Sequence, residues 1–208
     1  MSEIPSSKTT PPTTPTSGVI ERAKNIILKP KETWAAIDTE PATVQSIYVP
    51  YVVLLAAIGP VAQLIGGQVF GYGAFGVTFR PSLGSALGSA LLSYGLALAS
   101  IFVLSLIIDA LAPNFGGQKN QVQALKVAAY SATAGWLAGI FGLIPALAIL
   151  GILGLYGLYL LYLGLPILMK VPEDKAAGYT IVVVIAAVVI FLIIGVIVAS
   201  FAAPSAFI

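Results

Sequence analysis

Three tyrosines, Tyr156, Tyr159 and Tyr162, stand three apart in "LYGLYLLYLGLPILMK", an otherwise apolar run from Leu155 to Lys170. A phenolic hydroxyl in hydrocarbon is costly unless it finds a partner. Positions three apart on a helix turn by about 300°, so the three rings fan over roughly 120° of one broad face. Two readings follow. The rings interlock with a neighbouring helix beside the smooth strip of Gly151, Gly154 and Gly157, or they line a polar path. A path needs opposing polar groups, and Ser85, Ser89 and Ser93, spaced by four, are the hydroxyls that would supply them. Asp109 and Lys126 form a second constellation across the loop "DALAPNFGGQKNQVQALK". An ion pair there is a clasp on the structural reading and a partner-binding or gating charge on the functional one. In a partly solvated setting it contributes about 0–1 kcal/mol.

Other chemistry is excluded by composition. The chain has no cysteine and no histidine. That removes disulfides, thiolate nucleophiles, Cys/His metal sites and imidazole acid–base catalysis. No nucleophile elbow and no Walker A loop is present. The glycine-rich stretch Gly66–Phe79 lacks the Gly-Lys-Ser/Thr ending of a phosphate loop. It reads as an interfacial or partly re-entrant loop anchored by Phe70, Tyr72, Phe75 and Phe79. None of the eight acids falls in the middle of an apolar run. Ion pumps and proton-coupled transporters keep ionisable groups within the membrane, so this counts against such a mechanism. A uniporter, or a pore lined by backbone and hydroxyls, survives. No catalytic residue, cofactor or metal ligand is identified.

The elements that position these residues are apolar helices. Of the 208 residues 58% are hydrophobic and 9% charged, against about 25% charged in soluble domains. Spanning the bilayer takes about 20 apolar residues, and five runs approach or exceed that: Ile47–Ile65, Leu83–Ile108, Ala124–Leu143, Ala146–Met169 and Tyr179–Ala203. The expected fold is an all-α polytopic membrane protein with five transmembrane helices. The third and fourth should form a tight antiparallel hairpin around Ile144–Pro145. With the N-terminus in the cytoplasm, Lys8, Arg22, Lys24, Lys29, Lys31, Lys119, Lys126, Lys170 and Lys175 share one side and Arg80 lies alone on the other. Basic residues are retained on the cytoplasmic face, so the layout is N-in and C-out.

Residues 1–18 are Ser/Thr/Pro-rich and read as a disordered tail. They lack the apolar stretch of a signal peptide. Residues 19–46 read as a cytoplasmic juxtamembrane segment of two short amphipathic helices. Val19, Ile20, Ala23, Ile26 and Ile27 recur at helical spacing, and Pro30 suits the first position of the second helix. Arg22, Lys24, Lys29 and Lys31 would meet lipid headgroups, with Trp34 at headgroup level. The alternative is packing on the cytoplasmic ends of the spans. Residues 47–203 form the membrane domain, and 204–208 a short non-cytoplasmic tail. Small residues, including Gly135 and Gly139 of "GWLAG", mark close helix approach in lipid.

The ordered features "WAAIDTEP", the Gly116–Gly117 loop, "ALKVAAYS", a Trp-containing span, a Pro-marked turn, "LYGLYLLYLG" and "KAAGYT" resemble the bacterial branch of the Yip family. That family is named for membrane proteins that interact with Ypt/Rab GTPases, and the resemblance covers about Ile20 to Ala203. It implies a five-span inner-membrane protein, and its eukaryotic relatives act as scaffolds rather than as enzymes. Eukaryotic relatives carry an Asp-Leu-Tyr-Gly-Pro motif near the first span. This chain has "YVPYVVLL" there, a departure that puts Rab-type GTPase binding in doubt. The expected partners are membrane lipids and membrane proteins, a second copy of the chain included, and no nucleic acid. The leading expectation is a scaffold organising lipids or partners. The alternative is a permease or channel for a small neutral or lipid-like solute.

Overall fold

The computed structural model describes residues 15–74 and 77–202. Most of the expected N-terminal tail, Phe75, Ala203 and the C-terminal tail lie outside the described residues.

Two amphipathic helices open the chain, α1 (Pro15–Leu28) and α2 (Pro30–Thr39). Pro30 occupies the first turn of α2, where a missing N–H costs nothing. On α1 the buried face is Val19, Ala23 and Ile26, and on α2 it is Thr33, Trp34 and Ile37. Both follow the spacing of four and three that one side of a helix requires.

Helix α3 (Val44–Val69) starts with a capping box in which Thr43 and Ser46 bond each other's backbone amides. It is irregular at Tyr48–Val52, where Val49 leaves helical geometry (φ −112, ψ 114) immediately before Pro50. A residue preceding proline is pushed toward extended conformation. After α3, the expected loop is instead a small antiparallel hairpin, β1 (Tyr72–Ala74) with β2 (Val77–Phe79), pairing Tyr72 with Phe79 and Gly73 with Thr78. Gly71 turns the chain into it at φ +73, a conformation open to glycine without a Cβ clash.

Helix α4 (Leu83–Leu111) is capped by Ser82, and a short 3-10 turn, Ala112–Phe115, follows it. Then come α5 (Gln121–Ser131), α6 (Thr133–Ala138), two 3-10 stretches (Gly139–Leu143 and Pro145–Leu155), α7 (Tyr156–Met169) and α8 (Glu173–Ala202).

Among the described residues, four segments are long and apolar enough to cross a membrane: Val44–Val69, Leu83–Phe115, Pro145–Met169 and Glu173–Phe201. The chain is thus an all-α polytopic membrane protein apart from the small hairpin. The expected third span, Ala124–Leu143, is divided among α5, α6 and a 3-10 stretch. It is also the most enclosed segment, with eight consecutive buried residues from Ala124 to Ser131.

Contacts order the segments. Tyr48 reaches the Leu98 carbonyl and Tyr94 the Val53 carbonyl, so α3 and α4 are antiparallel. Gly154 meets Gly135, and Gly157 meets Ser131, which makes the expected tight antiparallel hairpin. Gly59 meets Gly139 and Gly66 meets Gly142, so α3 runs parallel to the segment containing Gly139 and Gly142. Tyr179 bonds the Ile108 carbonyl, and Gly88 abuts Phe201, so α4 and α8 are antiparallel.

The core is concentrated at one end. Trp34, Ile37, Ile26, Ile108, Leu125, Leu165, Leu168, Met169 and Tyr179 are all fully buried there, where α1 and α2 pack on α5, α6 and α7, and the ends of α4 and α8 pack alongside. The opposite end, with Arg80 and the hairpin, is more open.

Candidate functional site

The densest polar cluster lies under α1 and α2. Trp34 is 0% exposed. Its ring lies against Gly164 of α7, where a β-carbon would come within 2.8 Å. Glycine is therefore the residue that lets the indole sit directly on the α7 backbone. Tyr130 of α5 stands edge-on to Trp34 (6.3 Å between ring centres) and to Tyr51 (4.8 Å). The Tyr51 hydroxyl pairs with that of Thr133 at 2.7 Å in the interior. Arg22 lies over the Tyr130 ring, 5.8 Å from its centre, and donates to both carboxylate oxygens of Glu40 at 2.6–2.7 Å.

Lys126 does not pair with Asp109. Its ammonium is buried and donates to the carbonyl oxygens of Ile37 (2.8 Å) and Glu40 (2.6 Å), at the end of α2. The last carbonyls of a helix have no intrahelical donors and carry partial negative charge, so a cation is favourable there. Beside it, Gln123 donates to the Asp38 carbonyl and carboxylate, and Lys170 donates to the other Asp38 oxygen at 2.6 Å. Lys170 reaches Asp38 from a left-handed backbone (φ +55) that ends α7. Asp109 Oδ1 is buried without a hydrogen-bond partner among the described residues. The clasp expected of Asp109 and Lys126 is made instead by Gln121, which donates to Ser105 Oγ at 2.9 Å, and by Gln118 N–H bonding the Met169 carbonyl. The register of α5 turns Lys126 toward α2 and away from α4.

Of the expected headgroup contacts, Trp34 and Arg22 are instead structural: one is core, the other is held by Glu40. Lys24, Lys29 and Lys31 are exposed. The packing alternative thus describes the buried face of α1 and α2.

The tyrosine stripe divides. Tyr156 donates to the Ile27 carbonyl at the end of α1 (3.0 Å), while Tyr159 and Tyr162 are 42% and 48% exposed. Tyr156 and Tyr159 rings touch at 5.4 Å. The stripe does not face the serines. Ser85, Ser89 and Ser93 line a separate cavity of about 280 Å³ at the other end, walled also by Gln63, Tyr72 and Phe79. Ser93 bonds its own helix at the Ala90 carbonyl, and Ser89 Oγ is buried without a partner among the described residues.

Gly139 and Gly135 also part company. A β-carbon on Gly139 would lie 2.9 Å from the Gly59 Cα, whereas one on Gly135 would meet open space. Gly151 and Gly154, three apart, lie in the 3-10 stretch Pro145–Leu155, and Gly157 follows in the first turn of α7. With three residues per turn, such positions stack in line. That period was the signal, in plain view, that an α-helical reading of the fourth span missed.

Sequence reasoning also missed Tyr51, Thr133 and Tyr130. Their hydroxyls look like ordinary polar interruptions until three segments bring them together. Among the described residues no three acidic side chains gather as a metal-holding group. The cluster's groups are engaged in holding helices together, and none is paired as nucleophile and base.

The sequence profile of the Yip1 domain matches residues 24–196. Two relatives are the Inner membrane protein YohC of Escherichia coli K12 and its counterpart in Escherichia coli O6:H1 strain CFT073. Each is 29% identical over 117 residues, which is 56% of this chain and 60% of the relative. The match therefore spans less than two thirds of those proteins. No solved structure matches the chain.

Proposed function

Because the chain belongs to the Yip1 domain family, we propose that it is a non-enzymatic scaffold of the bacterial inner membrane that organises lipids or partner proteins. The observation that carries this is the use made of the polar groups under α1 and α2. Arg22, Glu40, Lys126, Asp38 and Lys170 fasten one element to another, and Lys24, Lys29 and Lys31 remain on the outer surface. A fixed layer with a basic exterior suits contact with a membrane surface or a partner better than it suits turnover. The relatives' printed name supports the inner membrane as its location.

We read the topology as five spans with the N-terminus in the cytoplasm. The antiparallel and parallel contacts above alternate as five successive crossings would, with α5, α6 and the following 3-10 stretch as the third. Since the chain has no cysteine, Lys24→Cys and Arg80→Cys can be labelled singly in intact cells. A membrane-impermeant thiol reagent should label the second from outside and the first only after lysis. The reverse pattern overturns the orientation.

The scaffold itself is tested by native mass spectrometry of the protein extracted from its own membrane into lipid nanodiscs. A stoichiometric second protein or a defined lipid complement is expected. A bare chain that turns over a solute in flux assays would overturn it. A second reading, binding or passage of a small neutral or lipid-like solute, is favoured by one observation: the unpartnered Ser89 hydroxyl in the serine-lined cavity. On that reading Ser89→Ala lowers flux or retention while thermal stability is unchanged.

A further inference from the structure

Helix α1 shows two different flanks on either side of its buried face. One flank, with Glu21, Asn25 and Lys29, lines an open charged groove shared with Glu32 and Glu40 of the α2 side. The other carries Ile20, Lys24, Ile27 and Leu28, which helical periodicity sets side by side. Ile20 and Leu28 are 64% and 66% exposed, a costly arrangement in water that hydrocarbon removes. On this flank Lys24 is the charged residue. The carboxylates of Glu21, Glu32 and Glu40 belong to the charged groove, and that of Asp38 is bonded to Gln123 and Lys170.

The apolar flank continues into a second groove through Ile27. That groove holds about 520 Å³, walled by Ile27, Ala134, Leu137, Phe141, Leu153 and Tyr156. The polar atom on this wall is the Tyr156 hydroxyl, and it is already committed to the Ile27 carbonyl. The wall therefore offers a hydrocarbon chain contact without leaving a donor unsatisfied. Its volume lies within the usual range for ligand sites, about 300–1,000 Å³. Lys24 stands three residues, about 4.5 Å of helical rise, from Ile27. An ammonium on a flexible four-carbon stem reaches across that distance to a phosphate above the groove.

We propose that this groove seats one acyl chain of an anionic phospholipid whose phosphate meets Lys24. The inference deepens the scaffold reading and rests on α1 lying at headgroup depth. It differs from general lipid contact in predicting one retained molecule with a headgroup preference.

The test is native mass spectrometry of the full chain in nanodiscs of equal phosphatidylglycerol and phosphatidylcholine, with stepwise activation to strip loosely held lipid. The expected result is one phospholipid retained per chain, with phosphatidylglycerol favoured about fivefold, the size of one basic residue's attraction to an anionic lipid surface. Lys24→Gln should reduce that preference to near unity while a lipid is still retained. Leu153→Trp, at a position 56% exposed, narrows the groove from outside and should abolish retention. Lys175→Gln, exposed at the same end of the molecule, should change nothing. The proposal is overturned if the wild type retains no lipid, if Leu153→Trp keeps it, or if Lys24→Gln keeps the preference. Failure of the scaffold reading shows separately, as loss of any co-extracted partner or lipid from native membranes. Failure of the orientation shows in the thiol labelling alone.

Discussion

The end of the molecule covered by α1 and α2 and the long helix α8 are built on opposite terms. At the covered end, Trp34, Lys126, Tyr51 and Thr133 are buried, with Tyr51 paired to Thr133 and Lys126 bonded to the Ile37 and Glu40 carbonyls. Along α8, 6% of the most apolar stretch is buried, and Phe191, Leu192 and Val196 are exposed. In water that exposure would demand a partner, but in hydrocarbon it does not, because lipid tails are as apolar as the side chains. The difference teaches where specificity resides in this fold. The apolar residues supply solubility in the membrane, and the small and polar residues decide which segments touch. Four tyrosine hydroxyls illustrate it, since Tyr48, Tyr94, Tyr156 and Tyr179 all donate to carbonyls of a neighbouring segment.

The comparison breaks most sharply at Trp34. Trp34→Ala empties the site against Gly164 and Tyr130 and should cost about 3–5 kcal/mol, seen as a large drop in thermal unfolding temperature in detergent. Phe191→Ala on α8 should leave that temperature nearly unchanged. If both fall alike, the two regions are not built differently.

Lys126→Met is next. It leaves the Glu40 carbonyl without its donor and takes one of two from the Ile37 carbonyl, and an unsatisfied buried group costs about 1–3 kcal/mol. Protease sensitivity of α2 should rise while α8 stays protected. An unchanged cleavage pattern would mean that the ammonium does not hold α2.

The glycine pair sharpens the contrast within one motif. Gly139→Ala forces a β-carbon to 2.9 Å from Gly59, and overpacking of that kind costs about 1–3 kcal/mol. Gly135→Ala enters open space and should be neutral or stabilising by up to about 1 kcal/mol, as alanine is the better helix former. Equal effects on the unfolding temperature would remove the seam.

The smallest effect is at the tyrosines. Tyr156→Phe should cost about 1 kcal/mol by losing the bond to Ile27, and Tyr159→Phe should stay within about 0.5 kcal/mol as an exposed change. A larger loss at Tyr159 would show that its hydroxyl has a partner in the membrane.

Much of this was legible in the residues. The two amphipathic helices, the break at Pro30, the apolar runs and the tight turn near Pro145 each follow from local periodicity and from what proline permits, and the structure has all of them. The candidate site was legible in part. Gly139 is a point of close approach, to Gly59 of the same chain. Trp34 was expected at the headgroups because tryptophan prefers interfaces. A glycine 130 positions later, Gly164, instead opens a slot for it, and no local pattern connects the two. Asp109 and Lys126 were paired because opposite charges flanked one loop. The nearer claim on Lys126 comes from the backbone carbonyls at the end of α2, which a list of charged residues does not contain.

The sequence by itself determined that this chain lives in a membrane, which stretches are helical, and which end carries the positive charge. Those are sums over neighbouring residues, and hydropathy and helical period settle them without reference to distant contacts. Tertiary structure alone decided which tyrosine is bonded, which glycine is closed, and where Lys126 and Trp34 are buried. Such outcomes depend on pairs far apart in the chain, and the free energy of a hydrogen bond or a close approach exists only once both partners have been brought together.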